Sequence, residues 1–187
     1  MIFYPNISPM VGFYLVWMYL LASEIGYINR IFELIGLPTH NWLGDSATVL
    51  YALAVIYIWQ QAGYMMLFYL SGLQNIDASY YEAATLDGAN EWQKFRSITF
   101  PLLMPTTVFT VTLSISNAVQ VVDSIAILTR GGPNNASSMV MYYIYNMSFG
   151  KFDYGMAATY SVLLMIVVLT VICLQNFGLD RITHYES

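Results

Sequence analysis

The chain segment EAATLDGANEWQKFRSITFPLLMP, which begins at Glu82, holds the residues whose types and spacing most clearly predict binding chemistry. Glu82 and Asp87 supply carboxylates that can pair with basic groups on another molecule. Ala83 and Ala84 expose so little side chain that a second surface can approach the helix backbone. Gly88 predicts a sharp turn, because glycine adopts positive φ at no steric cost. The pattern predicts a docking element for a partner protein, and an amphipathic loop lying on lipid headgroups is the alternative.

Two short helices are predicted to position these residues. Asp77 or Ser79 can cap the first helix by accepting amide protons, and Glu82, three residues after Ser79, gives a capping-box pattern. The first helix should cover residues 80–86. The second is expected to carry Glu91, Trp92, Phe95 and Ile98 toward the bilayer.

Asn117, Gln120 and Asp123 form a second group with binding potential. Their i, i+3, i+6 spacing puts them roughly on one helix face, and amides that face lipid are costly, so this face should meet protein or water. Amides both donate and accept hydrogen bonds, which suits a solute rich in hydroxyl groups. We therefore predict that Asn117 and Gln120 line a substrate passage, and polar contacts between helices are the alternative.

Gln60 and Tyr64 are predicted to contribute to the same passage from an earlier apolar segment, which also holds Gln61. Adjacent residues on a helix point about 100° apart. At most one of the two glutamines is therefore expected to face the passage, and the other should pack against a neighbouring helix.

The sequence lacks the residue patterns of enzymes. It contains no phosphate-binding glycine loop, no His or Cys pairs at metal-ligand spacing and no Ser-His-Asp pattern. We therefore predict no catalytic residue, no metal site and no cofactor bound by this chain. No run of basic residues suggests a nucleic-acid partner.

The composition is that of a membrane protein. Of 187 residues, 58% are hydrophobic and 9% are charged, whereas soluble domains carry about 25% charged residues. All charged residues fall outside four windows, at 1–23, 46–76, 97–122 and 154–179. Each window is long enough for an α-helix to cross the hydrocarbon core, and continuous apolar runs favour helices over a barrel. The windows contain no carboxylate or lysine, which disfavours an ion-coupled carrier.

The predicted fold is therefore all-α and polytopic. Four membrane helices are expected to end near residues 22, 70, 122 and 174. Pro5 and Pro9 leave only residues 10–22 of the first window as a clean helical run, so we expect further helices to precede it. Residues 24–46 should form a polar loop with short helical or turn character, and residues 131–150 an interfacial helix or a folded loop.

The coupling segment, which we define as residues 77–99, resembles a known family element. Its glutamate, alanines, aspartate and glycine, with Ile98, Pro101 and Pro105 after them, match the cytoplasmic EAA loop of the membrane-spanning subunits of ATP-binding-cassette importers, and Phe100 stands where leucine is usual. The runs LSGLQNID before it and LTRGGPNNAS after it are similar to permeases of the carbohydrate-uptake subfamily, of the maltose and glycerol 3-phosphate type. Lysine and arginine residues are equally divided between the loops on the two sides of the membrane. The placement of the coupling segment in the cytoplasm therefore rests on the resemblance alone.

The resemblance implies a type I ABC importer transmembrane-domain fold over residues 1–187, with about four of the family's six core helices present. It implies a permease in the plasma membrane of a bacterium or archaeon, importing a sugar or related polyol. The implied partners are two cytoplasmic ATPase subunits, which would bind ATP and Mg, a second permease subunit and an extracytoplasmic solute-binding protein. Glu82 would form an ion pair with the ATPase, Ala83 and Ala84 would contact it closely, and Gly88 would form the turn. An ion-coupled secondary carrier and a non-transporting membrane scaffold remain alternatives.

Overall fold

The computed structural model describes residues 9–179, with the side chains of 176, 178 and 179 left aside. The described part is helical. In chain order its helices are α1 (Met10–Leu20), α2 (Tyr27–Leu34), α3 (Val49–Gln74), α4 (Ala78–Leu86), α5 (Glu91–Lys94), α6 (Phe100–Leu102), α7 (Met104–Val119), α8 (Asp123–Leu128), α9 (Val140–Tyr145) and α10 (Tyr154–Leu179). The expectation for Pro5 lies outside the described residues.

Three of the four predicted windows form helices long and apolar enough to cross a membrane. These are Val49–Gln74, Met104–Leu128 and Tyr154–Gln175, of 26, 25 and 22 residues. In the first window the described helix α1 has 11 residues, which at about 1.5 Å per residue falls short of a hydrocarbon core about 30 Å thick. The all-α membrane fold is confirmed.

The span Met104–Leu128 is not one continuous helix, which corrects the prediction that the third membrane helix runs unbroken to about residue 122. Helix α7 ends at Val119 and α8 begins at Asp123. The amide of Gln120 donates to the carbonyl of Asn117 at 3.1 Å, an i to i−3 bond that tightens the last turn. The polar residues predicted on one helix face therefore lie at a break in the span.

The largest core lies where α1, α3 and α8 meet. Val49, Ile56 and Ile125 are fully buried there, and Phe13 and Tyr14 of α1 pack against them. Helix α3 also packs along α7, which in turn contacts α10. These contacts connect the membrane helices to both ends of the coupling segment, because α3 precedes it and α7 follows it.

Residues 24–46 contain the predicted short helix, α2, and one buried side chain organises the segment. Asn29 is 3% exposed. Its amide nitrogen donates to the carbonyls of Ser23 and His40, and its oxygen accepts from the His40 amide and from the indole nitrogen of Trp42, at 2.8 to 3.2 Å. One side chain thus joins both ends of the segment.

We expect Asn29→Ala to destabilise the protein by about 2–4 kcal/mol, because each buried group left without a partner costs about 1–3 kcal/mol. A lower unfolding midpoint in mild detergent would show this. Asn41→Ala removes a similar amide, whose one side-chain hydrogen bond within residues 9–179 is accepted from the exposed Gly44 amide, and should change stability by less than about 1 kcal/mol. Equal midpoints for the two variants would contradict the role given to Asn29.

Residues 131–150 form a folded loop followed by a short helix. Ser137 is fully buried, and its hydroxyl donates to the Gly132 carbonyl at 2.6 Å and pairs with the Thr129 hydroxyl at 2.7 Å. Helix α9 follows and widens into a π-helical turn at Asn146–Gly150. The loop lies at the end of the membrane helices opposite the coupling segment.

Candidate functional site

The first helix of the coupling segment is capped by Asp77. The Asp77 carboxylate accepts the amide proton of Ser79 at 2.9 Å, and hydrogen bonds from the Ser79 backbone and side chain hold the pKa of Asp77 below its ordinary value. Ser79 is the second residue of α4, so it is not the cap. The capping box expected from Ser79 and Glu82 is therefore wrong, and the Glu82 carboxylate is left exposed.

The turn after α4 is built as predicted around Gly88. Gly88 has φ +78°. Its amide donates to the carbonyl of Thr85 at 3.1 Å, and the Ala89 amide donates to the carbonyl of Ala84 at 2.9 Å. This pair of bonds is a Schellman motif, which satisfies carbonyls at a helix end and needs a left-handed residue at the turn.

A capping box does occur at the second helix. The Asn90 side chain accepts from the Gln93 amide at 2.9 Å, and the Gln93 side chain accepts from the Asn90 amide at 2.8 Å. The predicted second helix starts here as α5 and continues as a π-helical turn at Phe95–Thr99 into α6. Tyr81 pairs its hydroxyl with that of Thr99 at 2.9 Å and so holds α4 against this turn.

The five coupling residues predicted from the sequence lie together in the second half of α4 and in the turn that follows it. Glu82, Ala83, Asp87 and Gly88 are exposed and Ala84 is half-buried. Leu86, which the sequence analysis missed, is 90% exposed on α4. It follows Glu82 and Ala83 by one turn, which puts it beside them on one face. This spacing in the sequence would have placed Leu86 on the predicted docking face.

A polar cavity of about 190 Å³ lies between α1, α3 and the break that separates α7 from α8. We call it the polar cavity. Its lining residues are Met10, Tyr14, Tyr57, Gln60, Gln61, Asn117, Gln120, Val121, Val122 and Asp123. Gln60 is 11 residues into α3, which is about 17 Å along the helix and so near mid-membrane.

Three of the four predicted passage residues meet in the polar cavity. Gln60 accepts from the Tyr14 hydroxyl at 3.0 Å, and Gln120 donates to the Ser116 carbonyl at 3.1 Å. Asn117 lies one turn before Gln120. Residues far apart in the sequence therefore form one wall of amide side chains.

Two sequence expectations about this cavity are wrong. Gln61 lines it beside Gln60, and donates to the Tyr57 hydroxyl at 2.9 Å, because the cavity is wide enough to meet two adjacent positions of α3. Asp123 lies within the candidate span Met104–Leu128 and lines the cavity. The windows drawn from charge ended one residue before Asp123 and so excluded it.

Tyr64 is not brought to the polar cavity. Its ring packs edge-on against Phe68 at 5.1 Å, and Phe68 packs against Phe109 at 5.3 Å. Tyr64 lies one turn beyond Gln60, nearer the coupling segment. Its predicted contact with the passage therefore has no support in the arrangement of the described residues.

A larger cavity of about 650 Å³ opens between α1 and α3, but it is apolar. Its walls include Phe13, Trp17 and Trp59. It offers few hydrogen-bonding groups for a polar solute, so the smaller polar cavity is the better candidate for recognition. Within residues 9–179, no three His, Cys, Asp or Glu side chains come close enough to hold a metal ion.

Comparisons with known proteins agree with this architecture. A family model described as "Binding-protein-dependent transport system inner membrane component" matches residues 2–182. A lactose transport system permease protein of Rhizobium radiobacter is 34% identical over 177 residues, which cover 91% of this chain and 59% of that protein. An sn-glycerol-3-phosphate transport system permease protein of Agrobacterium fabrum is 32% identical over 174 residues, covering 91% and 58%. The chain thus spans less than three fifths of either relative.

The fold is also found in a solved structure. A crystal structure of a bacterial ABC transporter, involved in the import of the acidic polysaccharide alginate, superimposes with a TM-score of 0.86 at 24% sequence identity. The match covers 98% of this chain and 64% of that chain. At this identity the similarity shows that the two chains share a fold.

Proposed function

The chain belongs to the family of binding-protein-dependent transport system inner membrane components, and from this premise we propose that it is a permease subunit of an ATP-driven importer for a sugar or related polyol. It would form one wall of the passage and couple to a cytoplasmic ATPase through the coupling segment. The observation that carries this proposal is the exposed end of α4, a short helix capped by Asp77, where Glu82, Ala83 and Leu86 lie next to the turn at Gly88.

The shape of the coupling segment supports docking. Leu86 is exposed beside two carboxylates at the end of α4, and this mixed apolar and acidic surface suits contact with a protein that offers basic groups. The capping bonds at Asp77 and Asn90 fix the ends of both short helices. A preorganised element loses little conformational entropy on binding, which favours its use as a protein contact.

The polar cavity supports a shared passage. Its volume of about 190 Å³ is below the usual range of about 300–1,000 Å³ for ligand sites. One chain therefore supplies only part of a site for an oligosaccharide, which fits assembly with a second permease subunit. An extracytoplasmic solute-binding protein would deliver the substrate, and the two ATPase subunits would bind ATP and Mg.

The deciding experiment is affinity purification of the tagged chain from its own membranes in mild detergent, with co-purifying proteins identified by mass spectrometry. We expect an ATPase, a second permease and, with trapped nucleotide, a binding protein. Recovery of the chain alone across several detergents would favour the ion-coupled carrier, and recovery of soluble partners other than an ATPase would favour the scaffold.

Gln120→Leu tests the passage. We expect uptake by the assembled importer to fall about tenfold, because one amide partner for the solute is lost, at about 1–2 kcal/mol per hydrogen bond. Thr170→Val is a control, since Thr170 bonds only its own helix at the Ile166 carbonyl, outside the cavity. Unchanged uptake and substrate preference in Gln120→Leu would remove Gln120 from the passage.

A further inference from the structure

We infer that Asp123 makes the polar cavity select by charge, so that the passage accepts neutral hydroxylated solutes and rejects anionic ones such as phosphorylated polyols and uronates. The inference rests on the proposed function, because it assumes that the polar cavity is part of the passage. It concerns a residue that the passage prediction did not include.

The charge of the cavity comes from Asp123 alone. Among the lining side chains that the structure describes, Asp123 carries a charge and the others are amide, phenolic or apolar. Its carboxylate is exposed to the cavity and forms no salt bridge within residues 9–179. No lysine or arginine lines this wall to neutralise it.

Asp123 lies at an unusual position for a charged residue. It lies inside a candidate membrane span, where ionisable residues are rare and generally face a water-filled path or a functional site. The break between α7 and α8 makes this possible, since Asp123 begins a new helix at the cavity wall. A carboxylate kept there without a cationic partner has an effect on whatever enters the cavity.

The lining groups suit a neutral polyol. An ionised carboxylate only accepts hydrogen bonds, and each sugar hydroxyl can donate one. The amides of Gln60, Asn117 and Gln120 can both donate and accept, so they serve the remaining hydroxyls and ring oxygens. The carboxylate and the amides together therefore satisfy donors and acceptors of an uncharged solute.

An anion meets repulsion in the same place. A cavity of about 190 Å³ is only about 7 Å across. At that separation, with the effective dielectric constant of about 20 found near protein surfaces and with salt screening, like-charge repulsion weakens binding by about tenfold or more. One relative is a lactose permease and another an sn-glycerol-3-phosphate permease, so members of the family differ in whether their solute is neutral or anionic.

The test uses matched solute pairs on the assembled complex of this chain with its co-purified permease and ATPase subunits, without the binding protein. The probes are lactose and lactobionate, and glycerol and glycerol 3-phosphate. The measurement is the solute concentration that gives a half-maximal rise in the unfolding midpoint. For the pair that includes the preferred solute, the neutral member should act at about tenfold lower concentration than the anionic one.

Asp123→Asn keeps the shape of the side chain and removes its charge, and it should bring the two concentrations of that pair to within about threefold. Glu33→Gln is the matched control, because Glu33 is an exposed carboxylate of α2 outside the cavity, and it should keep the tenfold difference. Equal or stronger stabilisation of the wild-type complex by the anionic member, or an unchanged ratio in Asp123→Asn, would overturn the inference while leaving the passage proposal intact. No stabilisation by either member of either pair would instead contradict the passage proposal, and the inference with it.

Discussion

Gly88→Asp is expected to abolish ATP-dependent uptake and to remove the ATPase from the purified complex. Gly88 has φ +78°, and apart from its chain neighbours a Cβ added there meets no atom of residues 9–179 within 4 Å. Aspartate tolerates the left-handed conformation better than most residues, and the strain costs about 1–2 kcal/mol. The fold should therefore survive, and the effect should come from a side chain and an unpaired charge placed against the docking partner, where desolvation costs about 1–3 kcal/mol or more.

Gly36→Asp provides a closely matched control for this prediction. Gly36 follows α2 at the other end of the membrane helices, has φ +75° and likewise has open space around an added Cβ. The two variants thus carry the same backbone strain and the same new charge. We expect Gly36→Asp to keep the ATPase and most of the uptake. Full ATPase recovery and uptake in Gly88→Asp, or equal losses in both variants, would show that the end of α4 is not the docking site.

The coupling segment was predictable from the sequence because its structure is local. Gly88 marks the turn, Ala83 and Ala84 favour helix, and the capping residues are within three positions of the amides they bond. The choice between Asp77 and Ser79 as cap was open because either side chain can accept an amide proton from the residues two or three positions after it. The structure resolves it through the extended backbone of Asp77, which the sequence does not specify.

The polar cavity was only partly predictable because it depends on contacts between distant segments. The spacing of Asn117 and Gln120 indicated a polar face, but the break after Val119 depends on how α8 packs against α1. Gln61 lines the cavity beside Gln60, which a rule based on a single helix face excludes. Tyr64 was assigned to the passage because it lies in the same apolar segment as Gln60, but its ring packs against Phe68 instead.

Two helices connect the polar cavity directly with the coupling segment. Helix α3 carries Gln60 at mid-membrane and ends at the coupling segment, and α7 returns from that segment to Gln120. The two helices approach closely near the coupling end, where a Cβ on Gly72 would lie 2.7 Å from the Thr106 hydroxyl. Movement of the coupling segment would therefore shift two of the helices that line the cavity, which is the motion that the proposed ATP-driven change of access would use.

Leu86→Glu is expected to weaken ATPase association by about tenfold or more, although Leu86 is almost fully exposed and contributes little to packing among the described residues. Leu86 is 90% exposed, and burying a leucine side chain in a partner's groove is worth about 1.5–3 kcal/mol. Glutamate at this position loses the free energy of burying an apolar side chain and adds a third carboxylate beside Glu82 and Asp87. The measurement is the affinity of the purified ATPase for the permease complex in lipid nanodiscs.

The control is Leu34→Glu, since Leu34 of α2 is 82% exposed at the opposite end of the membrane helices. It tests whether any exposed leucine replaced by a charge disturbs the complex. If ATPase affinity falls only in Leu86→Glu, the apolar contact is specific to the end of α4. If affinity is unchanged in Leu86→Glu while Gly88→Asp still loses the ATPase, docking does not depend on Leu86. The partner's groove would then close around the backbone at Ala83, Ala84 and Gly88 and leave the leucine outside.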